Sequence, residues 1–224
     1  MTTVLICKDV FRIIPQFKLG IIHYHDIVVD RSPQMLRGRL AFFAENLKFE
    51  LETSTPAQDR NIKEWRQVIK TLGSDPSKYR HSAEALLRRV KKGQSIPNVN
   101  SAVDITNFFS LQYRIPFGIY DHHALSGPII VRIGTDKDSY EALNGRIYNF
   151  KNKLLANDEQ GPFGSPFVDS VRTKVTGITT ESLQIIYLCP STNFTDADAM
   201  LTAIANMFTQ IHGGEAKIQL LHKQ

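Results

Sequence analysis

The chain has 224 residues, 42% apolar and 22% charged, which is typical of globular proteins. Its net charge of +5 permits a polyanionic partner such as nucleic acid, but a mild excess of charge also serves solubility alone. With only two cysteines, no apolar run near the ~20 residues of a membrane helix and no secretory-type N-terminus, it is expected to be a cytoplasmic protein without a disulfide framework or a membrane anchor.

The N-terminal half of the sequence is mainly helical in pattern. In chain order, the predicted segments are a strand over 20–29 and helices over 33–52, 61–72, 83–92 and about 101–113. Gly73 and Pro76 interrupt the helical pattern after the second helix. Ser82 is the predicted N-cap of the third helix, whose last turn is basic, and Asn100 or Ser101 caps the fourth.

The C-terminal half turns to strands and closes with one long helix. Strands are predicted over 128–133, 182–189 and 216–222, with turns at Gly134, at 144–145 and over 161–166. Thr195 is the predicted cap of the helix between the last two strands, and Gly213 ends it. The order of helices, then strands, then a helix favours an α+β fold over a regular α/β alternation.

No familiar metal or cofactor motif accompanies the histidines. His23 and His25 share one face of a predicted strand, but two ligands are too few and no CxxC or HExxH pattern completes them. His122 and His123 are expected in an exposed turn. There is no P-loop, GxGxxG or GxSxG pattern, so neither a metal nor a cofactor is predicted.

An acid, two hydroxyls and a guanidinium lie within five residues near the C-terminal third, at Asp169, Ser170, Arg172 and Thr173. Such a group can position a phosphate or an ester. It is equally typical of a turn held by local side-chain hydrogen bonds. Both interpretations stay open from the residues alone.

A basic run surrounds the third predicted helix, at Arg80, Arg88, Arg89, Lys91 and Lys92. A run of this kind is usually a solvated face. If the protein binds nucleic acid, these side chains are the first candidates for contacts with phosphates.

The segment from residue 81 to 132 carries a more specific pattern. Val-Asp-x-Thr-Asn at 103–107 is followed by a turn containing Pro116, by Tyr120-Asp121 and by Gly-x-Ile-x-Val-Arg ending at Arg132. This order and spacing resemble the B3/B4 domain of the bacterial phenylalanyl-tRNA synthetase β subunit. A looser strand plan extends the resemblance to residue 190, so we expect one domain over 1–224 with residues 1–75 as an N-terminal elaboration.

The resemblance implies layered β-sheets with flanking helices, and an activity. In the synthetase this domain hydrolyses tyrosine wrongly esterified to the phenylalanine tRNA. Since the synthetase's catalytic and anticodon-binding parts would not fit in this length, the resemblance implies a freestanding aminoacyl-tRNA deacylase acting in trans. Its partner would be an aminoacylated tRNA. Water would be the nucleophile, so no metal or cofactor is implied.

The resemblance also implies site residues. The expected catalytic residues, which would hold the ester and the developing oxyanion, are Asn107, Thr106 and Asp169. The expected substrate-binding residues are Pro116, Phe117, Gly118, Arg172 and Thr173, the first three forming a turn that shapes the pocket. The expected contacts to the tRNA backbone are Arg80, Arg88 and Arg89. A structural alternative is that Thr106 and Asn107 only cap and satisfy a buried turn.

Two departures from the family pattern leave other functions open. Gly118 stands where the family has a histidine that lines the editing site, and no glutamate is in register to accept a tyrosine hydroxyl, Asp169 being the nearest substitute. The amino acid is therefore left open. One alternative is a non-catalytic module that binds tRNA or an amino acid. Another is a small-molecule enzyme whose activity would be indifferent to tRNA and to salt.

Overall fold

The structure has several sheets flanked by helices, with most of the helices before most of the strands, which confirms the predicted α+β class. A computed structural model describes residues 2–223. Within them the helices are α1 (Lys8–Ile13), α2 (Gln34–Glu50), α3 (Arg60–Thr71), α4 (Ser82–Lys91), α5 (Ser101–Tyr113) and α6 (Phe194–His212). The strands are β1 (Val4–Ile6), β2 (Lys18–His25), β3 (Phe117–Asp121), β4 (Ile129–Ile133), β5 (Ser139–Glu141), β6 (Ile147–Asn149), β7 (Leu154–Asp158), β8 (Gly161–Gly164), β9 (Ser182–Tyr187) and β10 (Glu215–His222).

The strands form two four-stranded sheets and a separate hairpin. The first sheet has the order β1-β4-β7-β8, with β1 parallel to β4 and the other pairs antiparallel. The second sheet is antiparallel throughout, in the order β10-β2-β9-β3. Strands β5 and β6 make the hairpin. Since β2 and β9 are central in the second sheet, nearly every residue of both is buried.

Helix α6 packs closely onto β2 because Gly20 leaves room for it. A Cβ atom at Gly20 would lie 2.2 Å from Leu201 Cδ2, well inside van der Waals contact. The core then continues through Ile21 and Ile22 to the large side chains of α3 and α6, including Trp65 and Phe208, all of which are almost fully buried. The core therefore joins the helices to the second sheet.

Several predicted boundaries need correction. The strand predicted over 20–29 ends at His25, because Asp26 has a left-handed backbone with φ of 54°. Phe117 and Gly118 do not form a turn: they begin β3 and pair with β9. The turn predicted over 161–166 contains the short strand β8.

Helix caps were predicted correctly in one case of three. Asn100 caps α5, its side chain accepting a hydrogen bond from the Val103 N–H. The cap position of α4 is His81 rather than Ser82. At α6 the cap is Asn193 rather than Thr195, because the Asn193 side chain accepts from the Asp196 N–H and so starts the helix two residues earlier.

Candidate functional site

A basic cleft of about 650 Å³ opens between α4, the middle of α5, the β5–β6 hairpin and the segment after β8. The cations that line it are Lys78, Arg80, Arg88, Arg89 and Lys92. Among the described residues that form its walls none is acidic. The cleft therefore presents a positive surface, which suits the phosphates of a nucleic acid.

A buried carboxylate organises one wall of the cleft. Glu84 is 0% exposed and accepts hydrogen bonds from Arg66 Nη1 and Arg88 Nε, each at 2.9 Å. Arg80 Nε lies 3.9 Å from the same carboxylate oxygen. The Arg80 and Arg88 side chains remain 40% exposed. The buried Glu84 carboxylate therefore restrains their guanidinium groups while these groups stay accessible to solvent. Anchoring of this kind lowers the entropy lost when they bind a ligand.

Neighbouring residues of α5 point in different directions. Asn107 is half-buried and lines the cleft with Arg80, Arg88 and Arg89. Thr106 is buried against the second sheet, where its hydroxyl donates to the Ala102 carbonyl at 2.7 Å and accepts from Gln184 Nε2 at 3.0 Å. The structure thus brings Asn107 together with the three predicted arginines, and gives Thr106 a position between helix and sheet.

A tyrosine and an aspartate form a closed pair behind the cleft. Asp169 follows Val168, which lines the cleft, and its carboxylate accepts a hydrogen bond from the Tyr120 hydroxyl at 2.7 Å. Tyr120 is fully buried, with its ring edge-to-face against Phe163. Burial raises the pKa of the Asp169 carboxyl to about 7, although the residue as a whole is only partly buried. Burial likewise raises the pKa of Tyr120.

The same pair explains the glycine at position 118. A Cβ atom at Gly118 would lie 2.0 Å from the Tyr120 hydroxyl oxygen, and one at Gly164 would lie 2.3 Å from it. Residues 118 and 120 share one face of β3, since side chains alternate along a strand. The Tyr120 hydroxyl thus occupies the space that a side chain at 118, such as the histidine expected from the resemblance, would need.

Adding a methyl group at position 118 tests whether the Tyr120 hydroxyl fills the space beside Gly118. We expect Gly118→Ala to lower the free energy of unfolding by about 2 kcal/mol, as overpacking of a core does. Adding Tyr120→Phe should recover part of that loss, because it removes the atom nearest to the new methyl group. Urea unfolding of the two single variants and the double variant measures the coupling. Strict additivity of the two losses would contradict the proposed steric exchange.

The remaining expected substrate-binding residues do not line the cleft. Arg172 makes a bidentate ion pair with Asp158, at 2.9 and 3.0 Å, and donates to the Ala124 carbonyl. Thr173 is buried beside β3, and its backbone carbonyl accepts from the Asp121 N–H. Pro116 and Phe117 are also buried. These side chains therefore hold loops and strands together in this structure.

Two aromatic side chains at the cleft were not predicted from the sequence. Tyr148 and Phe167 both line it, with ring centroids 6.3 Å apart and ring planes 26° from parallel. Flat aromatic faces beside cations are the usual means of holding unpaired bases. No spacing rule connects positions 148 and 167, so only the tertiary fold reveals the pair.

Three histidines gather beside the C-terminal end of β2. His25 Nδ1 and His122 Nδ1 each lie 3.4 Å from Glu181 Oε2, and the ring of His23 is 6.4 Å from that of His122. Burial and the neighbouring His122 lower the pKa of His23 to about 4. Over residues 2–223, no three histidine, cysteine, aspartate or glutamate side chains are grouped to hold a metal ion. In the same range no helix has the length and apolarity to cross a membrane.

Comparison with known proteins identifies the family to which this chain is similar. The model of the B3/4 domain family matches residues 64–207. The uncharacterized protein YhzB of Bacillus subtilis (strain 168) is 34% identical over 199 residues, covering 88% of this chain and 89% of that protein. The phenylalanine–tRNA ligase β subunit of Bartonella henselae is 35% identical over 63 residues, which is 27% of this chain and 8% of the ligase subunit.

A solved structure shares the overall fold. An N-terminal fragment of the phenylalanyl-tRNA synthetase β subunit from Pyrococcus horikoshii superimposes with a TM-score of 0.50. The match covers 99% of this chain and 55% of that fragment, at 11% sequence identity. The similarity supports the fold, including the parts of this chain outside residues 64–207.

Proposed function

This chain belongs to the B3/4 domain family, and we propose that it is an aminoacyl-tRNA deacylase acting on tRNA that a separate enzyme has charged. The observation that carries the proposal is the position of Asn107, whose amide shares one cleft with five cations and two aromatic rings. Cations suit the phosphates of an RNA end, rings suit its bases, and an amide suits an ester. The three kinds of group together fit the acylated end of a tRNA.

The reaction needs little from the protein beyond positioning. A water oxygen attacks the ester carbonyl, the bond from that carbon to the ribose oxygen breaks, and the ribose oxygen takes up a proton. The products are a free amino acid and an uncharged tRNA. The Asn107 amide would donate a hydrogen bond to the oxyanion, a contribution typically worth ~3 kcal/mol of barrier.

The closed Tyr120–Asp169 pair bears on which amino acid is removed. In this structure the Asp169 carboxylate already accepts the hydroxyl of Tyr120. Asp169 also does not line the cleft, so it is not placed to select a tyrosyl ester by its hydroxyl group. We expect the amino acid side chain to lie in the open cleft, and a tyrosyl ester not to be the preferred substrate.

Deacylation of a panel of mischarged tRNAs tests the proposal, with tyrosyl-tRNA specific for phenylalanine included. The wild type should release one amino acid, and Asn107→Ala should slow that release about 100-fold, the usual cost of a lost oxyanion donor. Asn144→Ala is the matched control, because Asn144 lines the same cleft but lies on the hairpin. Equal rates for wild type and Asn107→Ala would remove Asn107 from the reaction.

A second candidate function is a non-catalytic module that binds acylated tRNA. The observation that favours it is the tyrosine hydroxyl beside Gly118, which fills space that the family pattern gives to a histidine. Release of no amino acid from any tRNA in the panel, together with retained tRNA affinity, would select this function over the deacylase.

Binding of tRNA should depend on the cleft cations under either function. We expect Arg89→Ala and Lys92→Ala each to weaken binding and to lower the slope of log affinity against log salt by about 0.7–0.9. Lys137→Ala, an exposed cation outside the cleft, is the control and should change neither quantity. Fluorescence anisotropy over a range of salt concentrations measures both. An unchanged slope in both cleft variants would place the RNA elsewhere on the protein.

A further inference from the structure

An apolar stripe runs along the outer face of α2. Met35, Phe42 and Phe49 are 74%, 71% and 75% exposed, while Leu36 and Leu47 on the inner face are buried. Residues seven apart lie almost two helical turns apart, so the three side chains form one line about 21 Å long. A helix that is apolar on its outer as well as its inner face is typical of one with a second partner.

The stripe is symmetric about its middle residue. Met35 and Phe49 are equally far from Phe42 along the helix. Gly38, one turn before Phe42, would have nothing within 4 Å of an added Cβ atom, so another helix can approach closely there. The exposed charges of the helix differ between its two halves. Arginines at 37 and 39 precede Phe42. Glutamates at 45 and 50 follow it together with Lys48, and Glu50 already accepts a hydrogen bond from Arg114 at 2.8 Å.

From this symmetry and charge division we propose that a second copy of this chain covers the stripe, with the two α2 helices antiparallel about a two-fold axis at Phe42. Phe42 then packs on the partner's Phe42, and Met35 packs on the partner's Phe49. The arginine half of each helix faces the glutamate half of the other, and the helix dipoles oppose each other. A parallel pair would bring like charges together.

The charges of α2 also favour a second copy of the chain over a membrane surface as the partner of the stripe. Anionic lipid favours cations along the whole polar face of a helix, and the C-terminal half of α2 has no excess of cations, with Glu45 and Glu50 set against Lys48 and the neighbouring Arg114. The stripe residues do not line the basic cleft. The proposal is independent of the deacylase function.

Molar mass in solution is the first test. Light scattering after gel filtration should give twice 25.4 kDa for the wild type and 25.4 kDa for Phe42→Glu, which places two carboxylates at the axis. Ile178→Glu is the matched control, because Ile178 is 88% exposed outside the helices, and it should remain dimeric. Circular dichroism and urea unfolding check that both variants fold. A monomeric wild type at high concentration, with or without binding to anionic vesicles, would overturn the proposal.

Disulfide trapping tests the orientation. In a chain carrying Cys7→Ser, oxidation should link Met35→Cys with Phe49→Cys in a mixture of the two variants. Met35→Cys alone should not dimerise by disulfide, since antiparallel pairing keeps its two copies about 21 Å apart. The remaining Cys189 is buried, and burial raises its thiol pKa, so it should stay unreactive. Linkage of Met35→Cys to itself, without the mixed product, would overturn the antiparallel arrangement.

Discussion

Replacing Asp169 by Asn is expected to stabilise the protein increasingly as the pH rises from about 4 to about 7. The carboxyl has a folded-state pKa of about 7 against an ordinary value of 3.8, so between these values the native state holds a proton that the unfolded state has lost. The wild type therefore loses stability across this window as its carboxyl is forced to ionise, by up to about 4 kcal/mol. The amide keeps an oxygen that can accept the Tyr120 hydroxyl and has no proton to lose.

Urea unfolding of both proteins from pH 4.5 to 8 measures this difference. The free energy of unfolding of Asp169→Asn minus that of the wild type should increase with pH and level off above pH 7. Asp136→Asn is the control, because Asp136 is exposed in a turn, and its curve should stay parallel to that of the wild type. Parallel curves for Asp169→Asn would show that the carboxyl is not forced to ionise in a buried setting.

In the Asp169→Asn variant, buried His23 should make the free energy of unfolding depend on pH. Burial lowers the pKa of His23 to about 4, so the unfolded state binds more protons than the native state between about pH 4 and 6.5. Stability contributed by neutral His23 is therefore lost as the pH falls through this window. In the wild type the Asp169 effect has the opposite sign over the same range and should mask part of it.

The second large effect is expected from Glu84→Gln. Its carboxylate is buried among Arg66, Arg80 and Arg88, and losing one partner of a buried ion pair typically costs 3–5 kcal/mol. Because these arginines are partly exposed and can turn to water, we expect about 3 kcal/mol. Affinity for tRNA should change little. Removing the Glu84 negative charge makes the cleft more positive, and this gain offsets about 1 kcal/mol lost because Arg80 and Arg88 are less ordered before binding.

Urea unfolding and tRNA anisotropy of the same Glu84→Gln sample separate the two expectations. Glu52→Gln is the control for stability, because Glu52 is exposed and should tolerate the change. If Glu84→Gln were as stable as the wild type, the carboxylate would not be anchoring the arginines.

Local spacing was enough to predict five of the six helices in residues 2–223, α1 being missed. Helices α2, α3 and α5, for example, follow their apolar periodicity. Asn107 was singled out by the family resemblance, and it lies with Arg80, Arg88 and Arg89 in the structure. The sequence left open whether the basic helix faces a pocket, and the role of these side chains as site residues remains a prediction.

Other features depend on contacts between distant residues. Glu84 has the i, i+4 spacing to Arg88 of a solvated helix face, and only Arg66 from α3 reveals that the carboxylate is buried. Strand β1 is three residues long, and its partner Ile129 stands 125 residues after Val4. The Tyr120–Asp169 pair likewise joins positions 49 apart. Periodicity carries no information about such pairs.

The pairing of β10 with β2 also constrains how the protein is made. Residues 18–25 of β2 find their outer neighbour only at 215–222, near the end of the described chain. On the ribosome, this edge of β2 therefore stays unpaired until residues 215–222, which follow far later in the sequence, have emerged. Such edges are where nascent chains associate wrongly, and pairing over so long a separation is slow. A chain cut before residue 215 should accumulate as aggregate, because its β2 edge is never covered.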